Sequence, residues 1–311
     1  MILTVTMNPS VDISYPVESL LIDQVNRCQE VKKTAGGKGL NVTRVIHLMN
    51  EPVIATGVLG GVLGTYIEEQ LTSHNISHHF SKISGETRNC IAILHDNGKQ
   101  TEILEGGPIV SETELQAFES VFKEEGHQAN VVTISGSLSR GAPTNYYVKL
   151  LEQLSDSQTK VVLDTSGASL EAVLESKSKP FAIKPNLEEL ADLTGQKITL
   201  DNELLKEVLT SDLFKGISLI LVSLGKDGAF VKYEDDFFRV TIPKIDVVNP
   251  VGSGDSTVAG LAIGINNNLS IEGIIKTAMT LGMLNTMEAQ TGFVNPVNFD
   301  SLFEKVEVTK L

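Results

Sequence analysis

The run Asn249-Pro250-Val251-Gly252-Ser253-Gly254-Asp255-Ser256-Thr257-Val258-Ala259-Gly260 carries the clearest chemistry in the chain. Gly252, Ser253 and Gly254 have little or no side chain, so a ligand can approach their backbone N–H groups closely. The helix expected after them adds unpaired N–H groups and the positive end of its dipole, and together these favour an anion. Asp255 at that spot repels a bound phosphate. Its presence makes chemical sense if it takes a proton from a hydroxyl that attacks the phosphate. The same residues also fit a plain helix start with an acidic first-turn residue, so the rest of the chain has to decide.

A second glycine-rich element is Ala35-Gly36-Gly37-Lys38-Gly39-Leu40-Asn41-Val42-Thr43. It lacks the Walker A spacing. Thr257 stands where a third glycine would complete G-x-G-x-x-G after Gly252 and Gly254, so a dinucleotide site is not indicated either. Gly36 and Gly37 can bring backbone amides against a sugar, and Lys38 can reach a phosphate as a point charge. Asn41, one turn into a helix, can hydrogen-bond hydroxyls. His74, His78 and His79 contain an i, i+4 pair but no third ligand type, so they read as a surface turn rather than a metal site.

These loops need rigid elements to hold them. Short apolar or β-branched runs at 2–7, 53–58, 130–135, 160–164, 180–184 and 218–223 read as buried strands. Helical patterns follow most of them, at 38–50, 62–73, 111–125, 144–156, 186–194 and 201–214. The alternation predicts an α/β fold with a mostly parallel sheet covered on both faces. Two stretches break it. Val11–Val17 and Val25–Lys33 are strand-like, and 88–105 reads as a hairpin around Asn97-Gly98, with Ile91, Ile93 and Ile103 at strand spacing. Together, about 11–34 and 88–105 predict a small β-sheet projecting from the main body. With no helices of its own it needs another apolar surface over one face, as a substrate lid, a dimer interface or both. The C-terminal third is β-rich at 228–242 and predicts two last helices, about 255–267 and 271–288.

Net charge is −14, from 25 basic against 39 acidic residues, which argues against nucleic-acid or anionic-membrane partners. A phosphorylated ligand must then be held by a few local cations. Two cysteines, Cys28 and Cys90, make no disulfide framework and fit reduced thiols in the cytoplasm. Met1–Met7 reads as a first strand rather than a signal peptide, and no apolar run reaches the roughly 18 residues of a membrane helix.

Asn8-Pro9-Ser10-Val11-Asp12, the Gly36–Asn41 loop and Asn249–Gly260, in this order and rough spacing, resemble the PfkB (ribokinase-like) sugar-kinase family over essentially the whole chain. The resemblance implies a single three-layer α/β/α domain over 1–311 with the small sheet as its lid. Asn8–Asp12 and Gly85-Glu86-Thr87-Arg88-Asn89-Cys90 are most similar to the branch that phosphorylates sugar phosphates, tagatose-6-phosphate and 1-phosphofructokinases among them. By the same resemblance Asp255 is the general base, and Gly252, Ser253 and Gly254 form the anion hole for the transferring phosphoryl group. Asp12 grips sugar hydroxyls; Gly36, Gly37, Lys38 and Asn41 contact the sugar phosphate; Arg88 clamps its phosphate, with Ser137 beside it. Arg140 receives no role. Asn186 and Glu189 match an Asn-x-x-Glu motif, with Glu189 organising water around Mg²⁺, although the pair also reads as a helix cap. Lys184, Ser223, Gly225 and Gly228 approach the nucleotide phosphates, and Gly282 and Asn285 border the adenine. Some relatives hold a monovalent cation such as K⁺ near the position of Asp246.

The implied reaction is ATP-dependent phosphorylation of D-tagatose 6-phosphate at its C1 hydroxyl, giving the 1,6-bisphosphate and ADP, by a cytoplasmic enzyme that forms a homodimer through its lid. The alternative acceptor is fructose 1-phosphate, attacking through C6. A third possibility, a non-catalytic sugar-phosphate-binding regulator, is disfavoured because Asp255, Gly254 and Glu189 are all present.

Overall fold

The computed structural model describes residues 1–96 and 98–311. The chain begins with β1 (Ile2–Thr6), β2 (Ser10–Pro16), β3 (Lys32–Gly36), α1 (Lys38–Leu48), β4 (Val53–Gly60), α2 (Gly61–Ser73), β5 (Ser77–Ile83), β6 (Arg88–His95) and β7 (Lys99–Leu104). The middle carries α3 (Glu112–Gln128), β8 (Val131–Ser135), α4 (Tyr146–Gln153), β9 (Lys160–Asp164), α5 (Ala168–Glu175), β10 (Ala182–Ile183), α6 (Leu187–Thr194) and α7 (Asn202–Thr210). It closes with β11 (Leu219–Ser223), β12 (Ala229–Tyr233), β13 (Asp236–Thr241), α8 (Ser253–Asn266), α9 (Ile271–Thr286), α10 (Phe299–Phe303) and β14 (Glu307–Lys310).

The main sheet runs β14-β13-β12-β11-β10-β9-β8-β1-β4-β5. It is parallel from β11 to β5, and β12, β13 and β14 continue it antiparallel. Its central strands are apolar because helices cover both faces. Successive residues of β1 show this: Ile2 joins Val45, Leu261 and Ile275 on one side, while Leu3 and Val5 join Phe118, Phe122 and Tyr147 on the other. Helix starts are written locally. Ser111 and Glu114 form a reciprocal capping box on α3, and Asp201 and Ser270 accept backbone N–H groups at the heads of α7 and α9.

The second sheet has the order β3-β2-β6-β7. Its inner pair β2/β6 is parallel, and β2/β3 and β6/β7 are antiparallel. Val11, Ile13 and Ala35 pack with Leu40, Leu59 and Ile67 in a third apolar cluster. The main body thus supplies the cover that this sheet needs.

All six expected core strands and the helices after them form. The run expected as a strand at Val25–Lys33 does not: the strand begins at Lys32, and Leu21, Ile22 and Val25 are exposed. No layer lies over those residues, so alternation alone does not order them. The Asn97-Gly98 turn includes Asn97, which lies outside the described residues. Three elements have weak sequence signals. β5 and β14 are polar edge strands, and α5 is short. The chain also continues past its last long helix into α10 and β14, where the sequence suggested an end at the two helices. His78 and His79 lie in β5 rather than in a turn, and bond Thr72 and Glu125. Among the described residues no helix is long and apolar enough to cross a membrane.

Candidate active site

The parallel strands β1, β8, β9, β10 and β11 point their carboxyl ends at one side of the molecule, where ligands bind in open α/β sheets. There, α8 begins. Gly252, its N-cap, has φ +84°, which favours glycine. A side chain there would also press on Thr291 and on the Gly292 N–H, 2.7 and 2.9 Å from the added Cβ. Asn285 clips the loop in place: its Nδ2 donates to Val251 O at 2.8 Å, and its Oδ1 accepts from Gly292 N–H at 2.8 Å. Asn249 adds a bond to Ala289 O at 3.2 Å. The N–H groups at the start of α8 are thus held in a preset arrangement.

Asp255 sits in the first turn of α8, only 7% exposed, and Asn41 Nδ2 donates to its Oδ2 at 2.8 Å. Burial, helped by the negative charge of Asp164, raises its carboxyl to about 7, although Asn41, Lys38 and Lys184 pull the other way. A group poised near neutrality suits a general base.

Asp164, at the end of β9, was not singled out in the sequence. It lies between two cations, 3.6 Å from Lys38 Nζ and 3.4 Å from Lys184 Nζ. Burial alone would raise its carboxyl, but Lys184 and Lys38 prevail and hold it below the usual range. Asp164 in turn raises the Lys38 ammonium. Lys184 also approaches Gly254, with Nζ 3.3 Å from where a Cβ would stand. Lys184 therefore borders the helix start, and Lys38 meets it across Asp164. The only sequence signal for Asp164 is a carboxylate ending an otherwise apolar strand.

On the side of the small sheet, Asp12 accepts from Ser10 Oγ at 2.6 Å and from the Gly37 N–H. Burial raises its carboxyl. A side chain at Gly36 would overlap the Asp12 carboxylate, and Gly37 itself has φ +99°. Arg44 was also missed. Half-buried behind Asn41, it donates to Asn41 Oδ1 at 3.1 Å, to Thr291 O at 3.0 Å and to Ala35 O. It therefore ties the Gly36-Gly37 loop and the asparagine that holds Asp255 to the Thr291 segment that packs against Gly252. Arg88 donates to Glu105 O at 2.9 Å and to Asn8 O at 3.1 Å, and Asn8 Nδ2 donates to Ser137 Oγ at 3.2 Å. Asn8 thus joins Arg88 to Ser137.

Farther along the same edge, Asn186 and Ser223 are neighbours through an isolated parallel bridge. Gly225 opens a 3₁₀ turn, Gly225–Asp227, and Gly228 closes it against the Val240 backbone. Asn186 and Glu189 form a capping box: Asn186 Oδ1 accepts from Glu189 N–H at 2.8 Å, and Glu189 Oε2 accepts from Asn186 N–H at 3.0 Å. The Glu189 charge also contributes, after Asp164 and Asp255, to raising the Lys38 ammonium. Among the described residues there is no cluster of three His, Cys, Asp or Glu side chains that could hold a metal. Glu189 fits the alternative, a single carboxylate beside a cation held mainly by phosphates and water. Gly282 and Asn285 present no free group. Gly282 packs α9 onto Thr257 and Ser253 of α8, and Asn285 is fully buried with its amide committed to backbone. Asp246 is exposed at a cleft of about 460 Å³ shared with Lys244 and Lys305, so cations outnumber it there.

The sequence profile of the pfkB family carbohydrate kinases matches residues 5–298. The chain belongs to this family. A candidate phosphofructokinase from Staphylococcus aureus is 30% identical, with TM-score 0.86, over 100% of this chain and 99% of that one. Phosphofructokinase-2 from Escherichia coli, in its complex with fructose-6-phosphate, is 23% identical, with TM-score 0.87, over 97% of this chain and 98% of that one. A candidate 1-phosphofructokinase from Thermotoga maritima is also 23% identical, with TM-score 0.87, over 100% of this chain and 99% of that one. At these lower identities the likeness is one of fold. The protein is thus a carbohydrate kinase with the ribokinase-like fold, a phosphotransferase with an alcohol group as acceptor.

Proposed function

We propose that this PfkB kinase transfers the γ-phosphoryl group of ATP to the C1 hydroxyl of D-tagatose 6-phosphate, giving the 1,6-bisphosphate and ADP. The observation that carries the reading is Asp255, a buried carboxyl raised to about 7, at the head of a helix whose first residues are Ser253 and Gly254. The Gly36-Gly37-Lys38 loop and Arg88 supply an acceptor side with its own cations. The likeness of Asn8–Asp12 and Gly85–Cys90 to the branch that phosphorylates sugar phosphates, tagatose-6-phosphate kinases among them, supports a phosphorylated sugar as acceptor.

In this scheme Lys38, Arg88 and Ser137 hold the existing phosphate and fix the far end of the sugar. Asp12, Gly36, Gly37 and Asn41 orient the ring so that one hydroxyl points at Asp255. Asp255 takes the proton from that hydroxyl as its oxygen attacks the γ-phosphorus and the bond to the β-phosphate oxygen breaks. The N–H groups at 252–254 and the Lys184 ammonium stabilise the charge on the transferring group. Asn186, Ser223, Gly225 and Gly228 border the nucleotide phosphates. Glu189 is placed to hold water of a Mg²⁺ ion, which neutralises nucleotide charge when bound. The small sheet acts as the lid that excludes water. The free thiols Cys28 and Cys90 support a cytoplasmic enzyme. The potassium complex of the Escherichia coli phosphofructokinase-2 supports adding a monovalent salt to assays.

A second acceptor is favoured by the names of the neighbours. Phosphofructokinase likeness supports fructose 6-phosphate or fructose 1-phosphate, the latter attacking through C6. ADP release with MgATP and each of the three sugar phosphates decides, compared as kcat/KM. Preference for tagatose 6-phosphate supports the first reading. Preference for fructose 1-phosphate keeps the base and moves the reacting hydroxyl to C6. Failure with all three overturns the acceptor class.

A further inference from the structure

Arg140 is a cation that the scheme above leaves unused. It is exposed, but its backbone is fixed: its carbonyl accepts from Val110 N–H at 2.8 Å, and it forms a parallel bridge with Ile109. Ser139 Oγ donates to Met7 O, so the same loop is tied to the end of β1. The Arg140 arm runs over Gly106, where an added Cβ would lie 3.5 Å from Arg140 Cδ. The next residue shelters the other arginine: a Cβ on Gly107 would lie 3.4 Å from Arg88 Cδ and would overlap Asn8 Oδ1. Two consecutive glycines, with Cα atoms about 3.8 Å apart, thus each lie against the arm of one arginine, Gly106 against Arg140 and Gly107 against Arg88.

The local hydrogen bonds are uneven. Arg88 spends its two terminal nitrogens on the Glu105 and Asn8 carbonyls. Its Nε, and Asn8 Oδ1 beside it, are buried without a partner among the described residues. Buried polar atoms are nearly always paired, so the Arg88 Nε donor marks a place where an acceptor on a ligand or water completes the set. The Glu105 carboxylate is taken by the Asn89 N–H and Nδ2, at 2.8 and 3.2 Å. Lys38 is shared with Asp164. Arg140 makes no side-chain hydrogen bond or ion pair among the described residues. In a chain of net charge −14, it is the unengaged guanidinium at this spot.

We propose that Arg140 is the second arm of a phosphate clamp, closing with Arg88 and Ser137 on the phosphate that the acceptor already carries, and that it sets the preference for phosphorylated over unphosphorylated sugar. The proposal rests on the sugar-phosphate reading given above. A phosphate dianion takes several charge-assisted donors, and a guanidinium offers two in parallel. Arg88 supplies the fixed side of the clamp and Arg140 the free side.

The test compares wild type with Arg140→Ala, Arg140→Gln and Arg140→Lys. Gln keeps an arm over Gly106 and removes only the charge. Each protein is assayed with MgATP on tagatose 6-phosphate and on tagatose, and inorganic sulfate is titrated as a competitive inhibitor. The Ala and Gln variants should lower the ratio of kcat/KM for phosphorylated over free sugar by about 10- to 100-fold, as expected for losing a charged hydrogen bond. They should also weaken sulfate inhibition, and Lys should restore part of both. If both sugars fall alike, or the ratio and sulfate inhibition stay at wild-type values, the clamp is overturned. A wild-type enzyme that prefers free tagatose overturns the acceptor reading itself, and the clamp with it.

Discussion

At the scale of single residues, Asp255 ties activity and stability to one carboxyl. Asp255→Asn should lower kcat by about 10²- to 10⁴-fold with little change in KM; steady-state kinetics at saturating MgATP check this. A carboxyl raised to about 7 must lose its proton before it can act, so kcat should fall as pH drops through about 7. The stability sign runs opposite. Between the ordinary carboxylate range and about 7, the folded chain binds the Asp255 proton more tightly than the unfolded chain does. Stability from this group is therefore present at low pH and is lost as pH rises toward 7. Asp255→Asn should raise Tm at pH 8, with the gain shrinking by pH 4 to 5; calorimetry across that range tests it. Asp164 is coupled to the same titration. Its charge helps to raise Asp255, so Asp164→Asn should move the acid limb of the kcat profile to lower pH. It should also destabilise the fold by about 3–5 kcal/mol, because Lys184 is left buried without its partner.

At the scale of elements, the two loops work because their neighbours leave no slack. Gly36 lies against the Asp12 carboxylate, so Gly36→Ala must displace that side chain. The expected result is a large rise in KM for the sugar, with KM for ATP much less affected. Asn285 acts from inside α9 on the loop before α8. Asn285→Ala removes two buried backbone bonds and should cost about 2–4 kcal/mol, measured by urea unfolding, together with a drop in kcat as the 251–252 backbone loosens. Gly282 belongs to the same account, since it lets α9 approach Ser253 and Thr257 at the head of α8.

At the scale of the whole molecule, the main sheet collects polar groups at one edge and the small sheet stands beside them. The outer strand β7 is exposed along its length, with Ile103 at 55% and Leu104 at 59%. An exposed apolar edge strand is a pairing surface unless something covers it. The homodimer proposed through this sheet would cover it. Ile103→Lys should then shift the mass in analytical ultracentrifugation from dimer to monomer, and wild-type monomer at micromolar concentration would refute the dimer.

Much of this was legible in the residues alone. The period-2 and period-3.6 patterns determined the parallel core and its helices, because buried strands must be apolar on both faces and covering helices on one. The glycine-rich runs marked the two loops, because close backbone approach needs residues without side chains. Asp255, Lys38 and Asn41 were found that way, Asp12 and Lys184 only through the family resemblance, and the structure draws them to one place. Asp164 and Arg44 were not, because each is an ordinary residue in its own stretch, and Asn8, though part of a recognised motif, received no role of its own; all three gain meaning from partners far along the chain. Arg44, for instance, reaches Thr291, and Asn8 reaches Ser137. Tertiary structure also decided that Asn285 is a buried clip, since its sequence neighbours do not show which carbonyl it reaches. It alone brought Arg140 and Arg88 to the same turn, because Gly106 lies against one arm and Gly107 against the other. Local pattern specifies elements through backbone sterics and burial; charge pairs and polar networks depend on which elements come together, and only the folded chain brings them within reach.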